Sequence, residues 1–350
     1  MYILLAILVF SVLIVVHELG HFLAAKACGV QVNEFSIFMG PKLLQFKGKE
    51  TLYTLRLVPM GGFCAMEGED EESGNPRAFT AAKWWKRMII LVAGSFMNFV
   101  AGLLVVFCLY GNAEAFVAPV FTDFFDGCPY ASEEGFQTGD RIYSIDGNRV
   151  YLYSDVDMFL SRNAEQVYDF VVIRDGEKVV LNDFELKRIE YEGEPTPMYG
   201  FYFGTEEATF GAKLKNTWYH GIDFARLVWI GLGDLVSGRA GVQDMSGPVG
   251  IVSVISDTGN AAESTAAGVE NVLYLGAFIA INLAVMNMLP IPALDGGRVF
   301  FLLITTAVQA VTKKKINPKY EGYIHAAGMV LLLGIMALIT LKDVWMLFTR

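Results

Sequence analysis

Charge is scarce in this 350-residue chain: 18% of its residues are Asp, Glu, Lys or Arg, where soluble domains run near 25%. With 54% hydrophobic residues, that deficit argues against a purely soluble, disordered or collagen-like protein. Cysteine is also scarce. Cys28, Cys64, Cys108 and Cys128 show no CxxC and no paired spacing, which excludes a disulfide framework and gives no zinc-finger pattern. An excess of cationic residues is missing too. The formal net charge is −10, so the chain has no electrostatic reason to bind nucleic acid.

What is present instead is long apolar sequence. Spanning a bilayer takes about 20 mostly apolar residues, and four runs qualify: 1–27, 88–110, 268–289 and 323–342. The first run lacks a basic start and a small-x-small cleavage site, so it reads as a retained helix and not a signal peptide. Thr217–Gly238 is interrupted by Asp223, Arg226 and Asp234 and reads as an amphipathic helix on a surface. Residues 29–87 carry eight Lys and Arg, and 292–322 carry five, including Lys313-Lys314-Lys315. The stretch 111–270 has 11 Lys and Arg against 26 Asp and Glu. Placing the basic segments in the cytoplasm puts the acidic stretch and both chain ends outside.

The first run leads straight into His17-Glu18-Leu19-Gly20-His21. Histidines at i and i+4 share one helix face, where both imidazoles can reach a single Zn²⁺. Glu18 follows the first ligand and is placed to act as general base on a water activated by the metal. A carboxylate and two histidines inside a membrane helix are costly and read as functional. The other histidines, His220 and His325, read as interface or surface residues. Catalytic zinc usually takes a third protein ligand. Asp295 is the only Asp or Glu between Glu270 and Glu321. It follows Pro290 and Pro292, which break the third run, and precedes Gly296-Gly297. A helix broken at membrane depth lines a cavity or is buried in protein, so Asp295 is the candidate third ligand.

Between the second and third runs the chain changes character. Residues 112–190 form a soluble domain with strands around Ile142–Ile145, Tyr168–Ile173 and Lys178–Leu181, turns at Asp146-Gly147 and Asp175-Gly176, and a helix over 155–162. Residues 191–265 connect it to the third run. Residues 32–65 read as short strands ending in Pro59-Met60-Gly61-Gly62-Phe63, followed by an acidic loop, Glu67 to Glu72, on a solvated face. The Gly139-Asp140-Arg141-Ile142…Ile145-Asp146-Gly147 string resembles a PDZ domain of the kind found in bacterial proteases. Such domains bind extended peptides or C-termini by strand addition.

HExxH in the first helix, a central PDZ-like domain and Asn287-x-x-Pro290-x-Pro292-x-Leu294-Asp295-Gly296 in the third together resemble the site-2 protease family of intramembrane zinc metalloproteases, bacterial RseP-like branch. Ala93-Gly94-Ser95-Phe96-Met97-Asn98-Phe99 resembles its AGPxxNF stretch, with Ser95 in place of proline. Ser246-Gly247-Pro248-Val249-Gly250-Ile251 resembles its GPxGI segment. The fold implied is a polytopic α-helical membrane protein of four transmembrane helices, a membrane-associated β-hairpin and one extracytoplasmic PDZ-like α+β domain. The halves of the membrane core are 1–111 and 266–350. The resemblance implies zinc held by His17, His21 and Asp295, Glu18 as the base, and substrate contacts at Asn287, Gly61, Gly62, Phe63, Pro290 and Pro292. It further implies single-span substrates such as anti-sigma factors or remnant signal peptides. These would be cleaved in a bacterial inner membrane near its cytoplasmic side, after an upstream site-1-type protease has trimmed them. A zinc peptidase of soluble peptides and a non-enzymatic PDZ scaffold are the alternatives.

Overall fold

The computed structural model describes residues 1–69, 73–241, 245–313 and 318–349. Asp70, Glu71 and Glu72 of the acidic loop and Lys314 and Lys315 of the basic cluster lie outside the described residues. The chain divides into a helical unit, 1–106 with 224–350, and a sheet unit, 107–223.

In the helical unit, α1 (Tyr2–Cys28) ends at Gly29, whose φ of +82° closes a left-handed cap on Ala25 and Lys26 carbonyls. The strands β1 (Val32–Lys47) and β2 (Leu52–Met66) follow. β1 bends at Phe38 and Gly40, both at positive φ, so its first half is paired on both sides. Phe35 pairs with Cys64 and with Tyr53, while Phe46 pairs with Tyr53 on the far side. Two strands thus make a curled ribbon four segments wide, with Gly62–Met66 on an outer edge. The expected hairpin region is therefore present.

Next come α2 (Trp84–Leu109), α4 (Phe210–Ser237), α5 (Pro248–Asn260), α6 (Thr265–Asn287), α7 (Asp295–Thr312) and α8 (Pro318–Thr349), with α3 in the sheet unit. Among the described residues, four segments are long and apolar enough to cross a bilayer: Tyr2–Cys28, Trp84–Asn112, Thr265–Asn287 and Gly322–Met346. They agree with the four apolar runs, and the chain is a membrane protein. α5 and α7 lie in stretches read only as connector and basic loop. α5 starts at Pro248, whose fixed φ suits a first helical position. Apolar clusters of the described residues hold the unit. One joins the end of α1 to the ribbon, α2 and α7 through Ala25, Val32, Phe35, Ile90 and Leu302. Another joins the start of α1 to α5 and α6 through Tyr2, Ala6, Ile255 and Ile279. His17 and His21 sit on α1 between them.

The sheet unit contains β3 (Ala115–Phe124), β4 (Arg141–Ile145), β5 (Asn148–Arg149), α3 (Tyr153–Arg162), β6 (Val167–Arg174), β7 (Glu177–Glu185) and β8 (Phe201–Glu207). The antiparallel order is β7-β6-β4-β3-β8, with β5 beside β4. Both Asp-Gly pairs make the expected hairpin turns: Asp146 and Gly147, and Asp175 and Gly176, all have positive φ. β8, in the stretch read as connector, completes the sheet by pairing with β3. Phe121, Phe136 and Phe170 are fully buried and pack ring against ring at 4.8 and 5.0 Å. His220 is not a surface residue. It is buried, with Tyr110 5.7 Å away, and burial pushes its pKa down to about 4.

Candidate metal centre

α1 carries His17 and His21 one turn apart, and their rings meet edge-on with centroids 4.8 Å apart. Tight approach of α2 makes this possible. A Cβ at Gly20 would lie 2.4 Å from the Ala93 carbonyl oxygen, and one at Gly94 would lie 2.4 Å from His21 Nε2. Gly94 therefore leaves the imidazoles room that no other residue would. Ser95, where the resembled motif has proline, is buried inside an uninterrupted α2.

Asp295 arrives from the other side. After α6 ends at Asn287, residues 288–294 turn sharply and α7 begins at Asp295 itself. Only glycine fits after it. A Cβ at Gly296 would sit 2.3 Å from the Leu289 oxygen, and one at Gly297 2.3 Å from the Ile291 oxygen. The two glycines let the first turn of α7 lie flat on the preceding loop.

Three atoms then converge. His17 Nε2 is 3.1 Å and His21 Nε2 3.3 Å from Asp295 Oδ2, and the two Nε2 atoms are 3.2 Å apart. A tetrahedral zinc with bonds of about 2.0–2.1 Å requires ligand atoms about 3.3–3.4 Å apart, so the triangle fits. The hydrogen bonding fits as well. His21 Nδ1 lies 2.8 Å from the Ile90 carbonyl oxygen. An oxygen there only accepts, so the ring proton sits on Nδ1 and Nε2 turns a lone pair inward. Asp295 Oδ2 is buried without a hydrogen-bond donor. Lone pairs gathered this way repel one another unless a cation lies among them.

Behind His17 stands Asn98, which the sequence reading noted only as part of a motif. It is buried, its Nδ2 is 3.4 Å from His17 Nδ1, and its Oδ1 has no partner. Rotating the amide by half a turn gives His17 Nδ1–H an acceptor and removes the orphan, since amide orientation follows from the hydrogen-bond network. Glu18 is half-buried and runs beside the ribbon edge, where a Cβ at Gly62 would lie 3.4 Å from its Cγ. Gly61, at φ +82°, packs against Met39, and Phe63 lies under the Arg56 guanidinium at 5.0 Å. Asn287 is the last residue of α6, with Pro290 exposed and Pro292 half-buried in the turn that follows. None of these last five belongs to the three-atom cluster. Burial pushes the Cys64 thiol up to about 12, so it stays protonated.

A membrane-embedded HExxH helix joined by a distant aspartate is the pattern of one peptidase class. The chain matches Peptidase family M50 over residues 5–335, and it belongs to that family, the site-2 proteases. Its relatives agree along the whole length. A Clostridium acetobutylicum protein described as a candidate zinc metalloprotease is 36% identical, covering 98% of this chain and 97% of the relative. Zinc metalloprotease RasP of Geobacillus kaustophilus is 29% identical over 98% and 97%. The regulator of sigma-W protease RasP of Bacillus subtilis is 27% identical over 98% of both. The chain is therefore a zinc metalloprotease, and the non-enzymatic scaffold alternative falls.

Proposed function

We propose that this protein is an intramembrane endopeptidase in which His17, His21 and Asp295 hold zinc and Glu18 is the general base. The observation that carries the reading is the triangle of three inward lone pairs, with edges of 3.1, 3.2 and 3.3 Å, beside a carboxylate facing a strand edge. Zinc, when bound there, polarises the scissile carbonyl and lowers the pKa of the attacking water. Glu18 takes the proton from that water and returns it to the leaving amine. Gly62 leaves Glu18 space to do so.

The substrate is a membrane helix whose carbonyls are already hydrogen-bonded, so it unwinds before attack. Among the described residues, Gly62–Met66 pairs with β1 on one side only. That open edge supplies replacement backbone bonds by strand addition, with Gly61, Gly62 and Phe63 alongside the substrate. Asn287, Pro290 and Pro292 line its path near Asp295. The sheet unit is a PDZ-like domain that admits pre-trimmed proteins and takes a peptide or C-terminus. The basic segments place it and both chain ends outside the cytoplasm, in a bacterial inner membrane, with the zinc site towards the cytoplasmic side. Anti-sigma factors and remnant signal peptides, trimmed first by a site-1-type protease, are the substrate class. The name of the Bacillus subtilis relative, a regulator of sigma-W protease, supports that class.

The test is cleavage of a single-span reporter by purified full-length variants. Glu18→Gln should keep its zinc and lose about 10²–10⁴-fold in rate. Wild-type turnover in Glu18→Gln would sink the mechanism. Faster cleavage of casein-like peptides than of the membrane segment would favour a zinc peptidase of soluble substrates.

A further inference from the structure

The loop that delivers Asp295 contains a conformation that needs holding. Ala293, two residues before it, has φ +81°, a left-handed backbone that an alanine avoids when unrestrained. Three contacts keep it there. The Ala293 N–H donates to His325 Nδ1 of α8 at 3.0 Å. One turn further along α8, Gly328 receives Pro292 so closely that a Cβ would lie 2.4 Å from the proline Cβ. The His325 ring is met edge-on by Phe301 of α7, with centroids 5.4 Å apart and planes at 68°. His325 thus touches both the loop before Asp295 and the helix that starts with it.

We propose that His325 is a positioning residue for the metal centre: its Nδ1 holds the Ala293 turn and thereby fixes the direction from which Asp295 meets His17 and His21. The inference rests on the reading of Asp295 as the third zinc ligand. Because Nδ1 accepts, the ring carries its proton on Nε2. What the position requires is an acceptor at one point, not an imidazole as such. A residue that merely fills space between α7 and α8 would be replaceable by any side chain of similar size.

The test measures zinc affinity of the full-length protein in detergent, by competition with a chromophoric chelator, together with the visible spectrum of the Co²⁺-substituted form. His325→Leu should weaken zinc binding about 10–100-fold, as losing an outer partner of a ligand does elsewhere, and should alter the cobalt bands. His325→Asn, whose Oδ1 stands where Nδ1 stood, should stay near wild type. His325→Gln, with its acceptor one bond further out, should behave as the leucine variant. Ala293→Gly combined with His325→Leu should recover much of the loss, because glycine adopts the turn without support. Equal affinity in all variants, or asparagine as weak as leucine, overturns the proposal. If the leucine variant does not fold, the asparagine and glutamine pair decides. Asp295→Ala is measured alongside. Zinc retained there breaks the ligand assignment, whereas zinc lost there but retained in His325→Leu breaks only the positioning role.

Discussion

Each unit of this molecule draws an aspartate inward, one of them wholly and the other in part. In the sheet unit, Asp140 is fully buried and fully answered. Arg174 donates to it from Nε at 2.8 Å and from Nη2 at 2.7 Å, and the Gln137 N–H adds a third bond at 2.9 Å. In the helical unit, the half-buried Asp295 faces two imidazole nitrogens, and its inner oxygen has no donor among the described residues. A satisfied buried charge is closed and stabilises its surroundings. One left facing lone pairs is open, and has a free-energy cost that a bound cation removes. The same residue type is therefore closed off at one position and, on the reading proposed above, a ligand at the other, and its partners decide which.

The largest effect should come from crowding the open site. Gly94→Ala puts a methyl 2.4 Å from His21 Nε2, and His21 is pinned by Ile90. Zinc stoichiometry should fall to background while the sheet unit's unfolding transition is unmoved. Normal zinc content would mean that α2 retreats at little cost. Next, Asp140→Ala leaves Arg174 uncompensated and should cost about 3–5 kcal/mol of stability in denaturant titrations. The metal should remain bound with unchanged affinity, and a change there would show that the two aspartates are coupled.

Asn98→Leu removes the partner of His17 and should weaken zinc about 10–100-fold by chelator competition. Asn98→Asp should bind well because it still accepts. The smallest effect concerns pH. Burial, reinforced by Asp223, holds the Asp155 carboxyl above the usual carboxylate range. A raised folded-state pKa gives stability that is present at low pH and lost as pH rises through it. The sheet unit's melting temperature should therefore fall less steeply between about pH 4 and pH 7 in Asp155→Asn than in wild type. His220, shifted in the opposite direction by burial and partly held up by the Asp155 charge, changes with that substitution, so both proteins carry His220→Gln in this comparison. Parallel profiles would remove Asp155 from the account.

Much of this was readable along the chain. Apolar runs mark spanning helices because length and hydropathy are local properties. The two Asp-Gly turns were readable because the positive φ they need is set by residue type. The i, i+4 histidines were readable because helix periodicity alone puts them on one face. β8 was not, since a strand that pairs with one more than seventy residues earlier carries no local mark of its partner. The helix α7 hid behind Pro290, Pro292 and a glycine pair that packs it closely onto the loop, and α5 lay in a stretch that read as a connector. The burial of His220 and the partners of His325 were not readable, because burial and partnership arise only when distant elements meet.

The sequence by itself determined that the chain enters a membrane, that HExxH lies on the first helix, and that a lone aspartate follows a broken third helix. Only the tertiary structure decided that the two histidines and the aspartate meet with their ligand atoms 3.1–3.3 Å apart. That depends on Gly20, Gly94, Gly296 and Gly297 allowing backbones to approach where any Cβ would collide. It depends also on Ile90 directing a proton onto the outer nitrogen of His21. Residue identity sets what a side chain is able to ligate. Packing sets where its lone pair points, and a metal centre requires both.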